Sequence, residues 1–211
     1  IRAINDIVLA YPDMLAKGQD VAIPLRMLAR HWIAYYWSFV ESENPIYQGI
    51  RNRYGEGYRQ DMAFRTSLTQ LRQQWEAVIQ TESRPSDGFL LTNELLVPRK
   101  QHYWQQKSRE LVSLYERTLR KIMNAIEQPI QYAGTGLEGH FSVFRPLARY
   151  LDEPYLAKIP GTQDHDRCIV VSAEMWEAFQ SLSLWVEALC IQEWSLFVQT
   201  IDQKDRTPVR S

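Results

Sequence analysis

The chain has 211 residues, 45% hydrophobic and 12% aromatic, which is enough for a sizeable core and excludes a disordered polymer. Lys and Arg number 24 against 25 Asp and Glu, and a net charge of -1 excludes a globally basic nucleic-acid binder, so any such surface must be local. The only thiols, Cys168 and Cys190, form no C-x-x-C pair, which argues against a disulfide framework or a cysteine zinc site and points to a reducing, cytoplasmic compartment.

The first residues, Ile1 to Asp6, lack the apolar core of a signal peptide, and no uncharged run approaches the ~18 residues of a membrane span. Pro24 suits a first helical position, and Leu25, Leu28, Ala29, Trp32, Tyr36 and Phe39 then recur on one helical face until Asn44-Pro45. Ile33 and Trp37 lie on the other side, so both faces of this helix are expected to be covered. From Asp61 to Gln80 a second stripe runs through Phe64, Leu68, Leu71, Trp75, Val78 and Ile79, with Arg65, Arg72 and Glu76 outside it. The stretch Phe89 to Leu96 fits a strand or a short helix equally.

The clearest periodicity spans Gln101 to Gln128, where Leu111, Leu114, Tyr115, Thr118, Leu119, Ile122 and Ile126 recur in steps of three and four and Pro129 should stop the helix. Ile130 to Thr162 reads as irregular, with a short strand at Ile130-Gln131-Tyr132. Cys168 to Val171 is β-branched and reads as a strand. Ser172 is the expected N-cap of a helix reaching about Ile201, with Glu174 and Glu177 in its first turns, where exposed amides favour negative charge. Its stripe, Met175, Phe179, Leu182, Val186, Leu189 and Phe197, marks it as the spine of the domain, and Trp32, Trp75, Trp176, Trp185 and Trp194 read as core or core-edge residues. The fold expected is mainly α: a single irregular helical domain over residues 1–211 with a long C-terminal helix and one or two short strands, forming the N-terminal part of a longer protein.

Sites of chemistry are sparse. Gly134-Thr135-Gly136-Leu137-Glu138-Gly139 lacks the Lys-Ser/Thr that completes a phosphate loop and reads as a surface turn. His31, His102, His140 and His165 fall in separate elements, and no Glu-x-x-His repeat supports a di-metal bundle. Asp164-His165-Asp166 has the acid-histidine pairing of some metal nucleases, yet no further histidine or asparagine follows it, so it reads as a polar loop. Glu193 falls within the apolar stripe of the C-terminal helix and is the buried-carboxylate candidate, expected to pair with an Arg, His, Tyr or Trp. The sequence therefore offers no catalytic residue and no metal ligand, and no cofactor is expected in this chain.

Charge is more informative locally. Arg99 to Lys121 holds seven basic residues and two acidic ones, whereas Ala173 to Asp202 holds five acidic residues and no basic one. Arg109, Arg117 and Arg120 share the polar side of their helix, with Arg99 and Lys100 at its start, and their donors suit phosphate oxygens. These five are the candidate nucleic-acid-binding residues. The competing assignment is a solvated face, or one that docks on acidic protein.

Three stretches carry a resemblance: His31-Trp32-Ile33-Ala34-Tyr35-Tyr36-Trp37 followed by Asn44-Pro45-Ile46-Tyr47-Gln48-Gly49, then Asp61-Met62-Ala63-Phe64-Arg65, then Leu182-Ser183-Leu184-Trp185-Val186-Glu187-Ala188-Leu189-Cys190. Together they resemble the N-terminal helical region of bacterial HNH endonuclease-type proteins. The resemblance implies a nuclease parent in bacterial defence or mobile-element biology, whose ββα-metal module with its divalent cation would follow this region. It assigns this chain a non-catalytic DNA-positioning or partner-binding role. A helical scaffold that binds protein chains without touching nucleic acid is the alternative.

Overall fold

The structure is a computed structural model that describes residues 1–43, 45–48, 61–132, 144–147 and 156–206. It is mainly α, with a long C-terminal helix, and sorts into two compact units that each draw on separated parts of the chain. One comprises Ile1–Trp32 with Ile122–Cys190, the other Ile33–Lys121 with Ile191–Ser211.

The first unit is built on a four-stranded sheet of order β2-β4-β1-β3, from β1 (Asp20–Pro24), β2 (Arg145–Leu147), β3 (Leu156–Lys158) and β4 (Cys168–Val171). β1 runs parallel to β3 and antiparallel to β4, with Val21 opposite Val171 and Pro24 opposite Cys168. Every residue of β4 is buried, as expected of a strand covered on both faces. Cys168 is buried there, and loss of hydration, reinforced by the nearby Asp166 charge, pushes its thiol up to about 12.

The sheet is larger than the one or two strands expected. The pattern of β1 does not announce a strand, because an Asp-Val-Ala-Ile-Pro segment is short and lacks alternation, its three central residues all being buried. Pro24 therefore ends a strand instead of opening a helix. A proline fits there because the ladder needs no further donor, and α2 (Leu25–Tyr35) starts at the next residue, whose N–H donates to Arg167 O at 2.8 Å. α1 (Arg2–Ala10) adds Ile4, Ile7 and Val8 to this core. Arg26 grips Asp166 through two donors, Nε to Oδ1 at 2.6 Å and Nη2 to Oδ2 at 2.9 Å, which ties the loop before β4 to α2.

α7 (Ala173–Arg206) leaves β4 through Ser172, whose Oγ accepts from the Met175 N–H at 3.2 Å, as expected of the N-cap. Asp20 Oδ1 accepts from the Ala173 N–H at 3.0 Å, so strand β1 supplies a second cap.

In the second unit α3 (Arg65–Ile79), α4 (Asp87–Leu96), α5 (Pro98–Lys107) and the start of α6 (Arg109–Tyr132) enclose Trp37, Leu68, Leu71, Trp75, Leu91, Leu111 and Tyr115, all buried. The ambiguous segment Phe89 to Leu96 is helical. Gly88 permits close approach in α4, because a Cβ there would lie 2.8 Å from Trp37 Cβ and 2.9 Å from Ala34 Cα.

Arg72, placed outside the α3 stripe by its charge, is buried instead. Its guanidinium donates to Trp37 O at 2.9 Å, to Ser83 O at 3.1 Å and to Glu76 Oε1 at 3.1 Å. Asp87 completes the same buried network by accepting from Trp75 Nε1 at 3.1 Å and from Ser83 Oγ at 3.3 Å. A wheel can place Glu76 one turn away but cannot foresee the two backbone carbonyls from other segments that, with it, satisfy the buried guanidinium.

The helix expected from Gln101 to Gln128 is divided at Ser108, where the backbone is extended at φ -153 and ψ 91. Ser108 Oγ accepts from the Leu111 N–H at 3.3 Å and caps α6, so a serine that can serve as N-cap interrupts an otherwise continuous pattern. α6 passes through Pro129 and ends at Tyr132, which corrects both the stop at Pro129 and the strand at Ile130-Gln131-Tyr132. Proline removes one backbone donor, and a helix already packed along its length can absorb that loss for a few residues.

Candidate nucleic-acid interface

α5 begins with Pro98 at its first turn, and Trp104 anchors it by packing at a tilt against Trp75, with ring centroids 5.5 Å apart and planes inclined by 53°. The Trp104 indole N–H donates to Glu94 Oε2 at 3.2 Å, while Lys100 Nζ donates to Glu94 Oε1 at 2.7 Å. The bond from Lys100 holds the Glu94 carboxyl below its ordinary range against the opposing effect of burial. Lys100 is thus committed to a carboxylate. Lys107 lies 5.0 Å from the Trp104 ring centroid, spreading its charge over an aromatic face.

The remaining cations of the predicted face are differently placed. Arg99, Arg109, Arg117 and Arg120 are exposed and make no ion pair among the described residues. Arg117 Nη2 donates to the amide oxygen of Gln70 at 3.0 Å, a neutral partner that orients the guanidinium without neutralising it. Glu116 lies four residues before Arg120, yet the two form no ion pair among those of the described residues, so the internal pairing available on the wheel is not used. Next to Arg109 lies an open groove of about 720 Å³ lined by His102, Gln105, Gln106, Arg109, Ser113 and Glu116, together with Val112. Its lining sets the Arg109 guanidinium and neutral polar groups beside the Glu116 carboxylate, so the groove is polar without being uniformly cationic.

Four other arginines among the described residues are placed differently, whereas Arg84 is likewise exposed without an ion pair among the described residues. Arg26 and Arg167 in the first unit, and Arg65 and Arg72 in the second, are each ion-paired, to Asp166, Glu127, Asp61 and Glu76 respectively. Arg65 also donates to the carbonyls of Phe39 and Ile46. Arginines that stitch segments together are satisfied inside, and those of α6 face water with donors to spare.

The other sequence candidates separate. Glu193 is exposed, which corrects the expected buried, paired carboxylate. The α7 stripe chosen from periodicity is rotated from the side that actually packs, where Trp176 and Phe179 are buried while Leu182 and Leu189 are exposed. Trp185, expected near the core, is exposed as well. Within Asp164-His165-Asp166 the first two residues are exposed and only Asp166 is buried, held by Arg26 and by the Gln163 N–H at 2.7 Å; it is a loop clamp. His31 sits 3.8 Å from Asp6, and burial lowers its proton affinity more than the carboxylate restores it. Gly134 to Gly139 and His140 lie outside the described residues. Among the described residues no three His, Cys, Asp or Glu side chains converge in a metal-ligand group, and no helix is long and apolar enough to cross a membrane.

No curated protein and no solved structure matches the chain. One family model does, over residues 1–211, and by that match the chain belongs to the family described as Domain of unknown function (DUF8808).

Proposed function

We propose that this domain is a non-catalytic module that holds DNA through its phosphates, positioning it for a tethered HNH-type nuclease in the bacterial cytoplasm. The observation that carries the reading is the polar side of α6, where Arg109, Arg117 and Arg120 are exposed without a carboxylate partner among the described residues. Phosphate contacts need forked donors in water-accessible positions and supply affinity without sequence readout. Arg99 and Lys100 belong to the preceding helix α5, where Arg99 is exposed and the charge of Lys100 is partly offset by Glu94. The nuclease tether, and the divalent cation its separate module would use, rest on the three sequence stretches alone. Two free cysteines fit a reducing compartment.

Fluorescence anisotropy with labelled duplex DNA tests the reading. With about three phosphates neutralised, log affinity should fall against log salt with a slope near about -2.7, and each Arg→Ala at 109, 117 or 120 should reduce its magnitude by about 0.9. Equal binding by the triple alanine variant, or no salt-dependent binding by the parent even at low ionic strength, would overturn it.

A further inference from the structure

The first-unit part of α7, from Ala173 to Cys190, carries a surface that the α6 reading does not use. Its packed side is fixed by Trp176 and Phe179, which are buried, by Ser183, whose carbonyl accepts from Asn5 Nδ2 at 3.3 Å, and by Glu187, paired with Arg2 at 3.2 Å. The opposite arc, about 160° wide at 100° per residue, is exposed at every position. Leu182 is 51% exposed, Leu184 79%, Trp185 77% and Leu189 59%. Glu174 and Glu177 occupy the N-terminal end of the arc, exposed and without an ion pair among the described residues, and its remaining positions are alanine or serine. Four large apolar side chains clustered on two turns of one helix exceed the single exposed residues that ordinary surfaces carry.

Charge decides what can cover this face. No Lys or Arg occurs from Ala173 to Cys190, so the face offers nothing to nucleic-acid phosphates or to anionic lipid, which amphipathic surface helices recruit with a basic rim. A second copy laid parallel would set Glu174 and Glu177 against their own counterparts. Laid antiparallel, it would press those carboxylates onto the apolar Leu184 and Leu189, while Arg2, the cation beside this stretch, is already paired with Glu187. A surface apolar along most of its length and acidic at one end is matched by a helix that is apolar along one side and basic at one end.

We infer that the Glu174-to-Leu189 face of α7 docks an amphipathic helix of a partner protein, with its leucine-like side on Leu182, Leu184, Trp185 and Leu189 and its Lys or Arg residues over Glu174 and Glu177. The apolar contact supplies affinity and the charged end sets orientation. The two assignments rest on different residues, so either can fail without the other.

The test uses the full chain and two labelled synthetic 18-residue amphipathic helices that share a leucine face and differ only in carrying Lys/Arg or Glu at one end, read by fluorescence anisotropy. The basic-ended peptide should bind at least about tenfold tighter than its acidic twin. Trp185→Ser with Leu189→Ser should weaken it by about tenfold or more at unchanged helical circular dichroism, and Glu174→Lys with Glu177→Lys should reverse the preference between the twins. If the serine variant loses helix content, the charge reversal alone decides. The inference is overturned by equal binding of the twins, by no binding of either at about 1 mM, or by affinities that neither variant changes. A parent dimer in sedimentation that Trp185→Ser dissociates would assign the face to a second copy, and flotation on phosphatidylcholine/phosphatidylglycerol vesicles lost in the same variant would assign it to a membrane; each overturns it too.

Discussion

α6 and α7 are both long, both begin at a serine cap, and both show apolar residues at helical spacing, yet they dispose of that apolar surface in opposite ways. In α6 every member of the predicted stripe, Leu111, Leu114, Tyr115, Thr118, Leu119, Ile122 and Ile126, is buried, and the cations lie outside. Among the described side chains of α7 the last buried one is Phe179, and Leu182, Leu184, Trp185 and Leu189 face solvent. Periodicity therefore identifies a helix with an apolar side, and a second surface must exist before that side becomes core. α6 meets one within the chain. For α7 between Leu182 and Leu189 the covering surface is assigned to another molecule.

The largest expected difference between the two kinds of apolar position is at tryptophan, within α7 itself. Trp176 is fully buried, so Trp176→Ala should cost about 3–5 kcal/mol, whereas Trp185→Ala should stay within about 0.5 kcal/mol of the parent. Urea unfolding followed by far-ultraviolet circular dichroism measures both. Similar losses from the two variants would mean that Trp185 is packed, and the contrast between the helices would collapse.

Leucines give the same comparison across helices with a smaller step. Leu111 in α6 is fully buried, and Leu111→Ala should cost about 2–5 kcal/mol through lost burial and the cavity left behind. Leu189→Ala in α7 removes a side chain that is 59% exposed and should be nearly neutral in the isolated chain. A basic amphipathic partner would change only the second result, because Leu189 contributes to stability once something covers it.

Much of the helical layout was legible before the structure. Phe64, Leu68, Leu71 and Trp75 are the buried side of α3 as their spacing predicts, β4 lies where the β-branched run places it, and Ser172 caps α7. The misreadings share one physical origin, dependence on groups distant in sequence. β1 exists because β4 and β3 pair with it, Arg72 is buried because Trp37 and Ser83 offer carbonyls, and α5 parts from α6 because Ser108 has an amide to cap. The candidate interface was legible in its charges, since the run from Arg99 to Lys121 is basic on sequence alone. Its finer structure was not, because Lys100 meets Glu94 and Arg117 meets Gln70 only in the folded chain.

The smallest expected effects concern the caps that the two helices share. Ser108 Oγ accepts from the Leu111 N–H at 3.3 Å and Ser172 Oγ from the Met175 N–H at 3.2 Å, so each serine satisfies the third amide of its helix. Ser108→Ala should cost about 1 kcal/mol, the usual worth of such a cap. At α7 the Ala173 amide is already held by Asp20 Oδ1 at 3.0 Å, and a carboxylate there also favours the positive end of the helix. Ser172→Ala should consequently cost less than Ser108→Ala, and the full penalty should emerge only when Asp20→Ala is added, as a loss in the double variant larger than the sum of the singles. Strict additivity in a urea-unfolding cycle would mean that the two α7 caps act independently, and the loss in Asp20→Ala alone would then measure what strand β1 contributes to the start of α7.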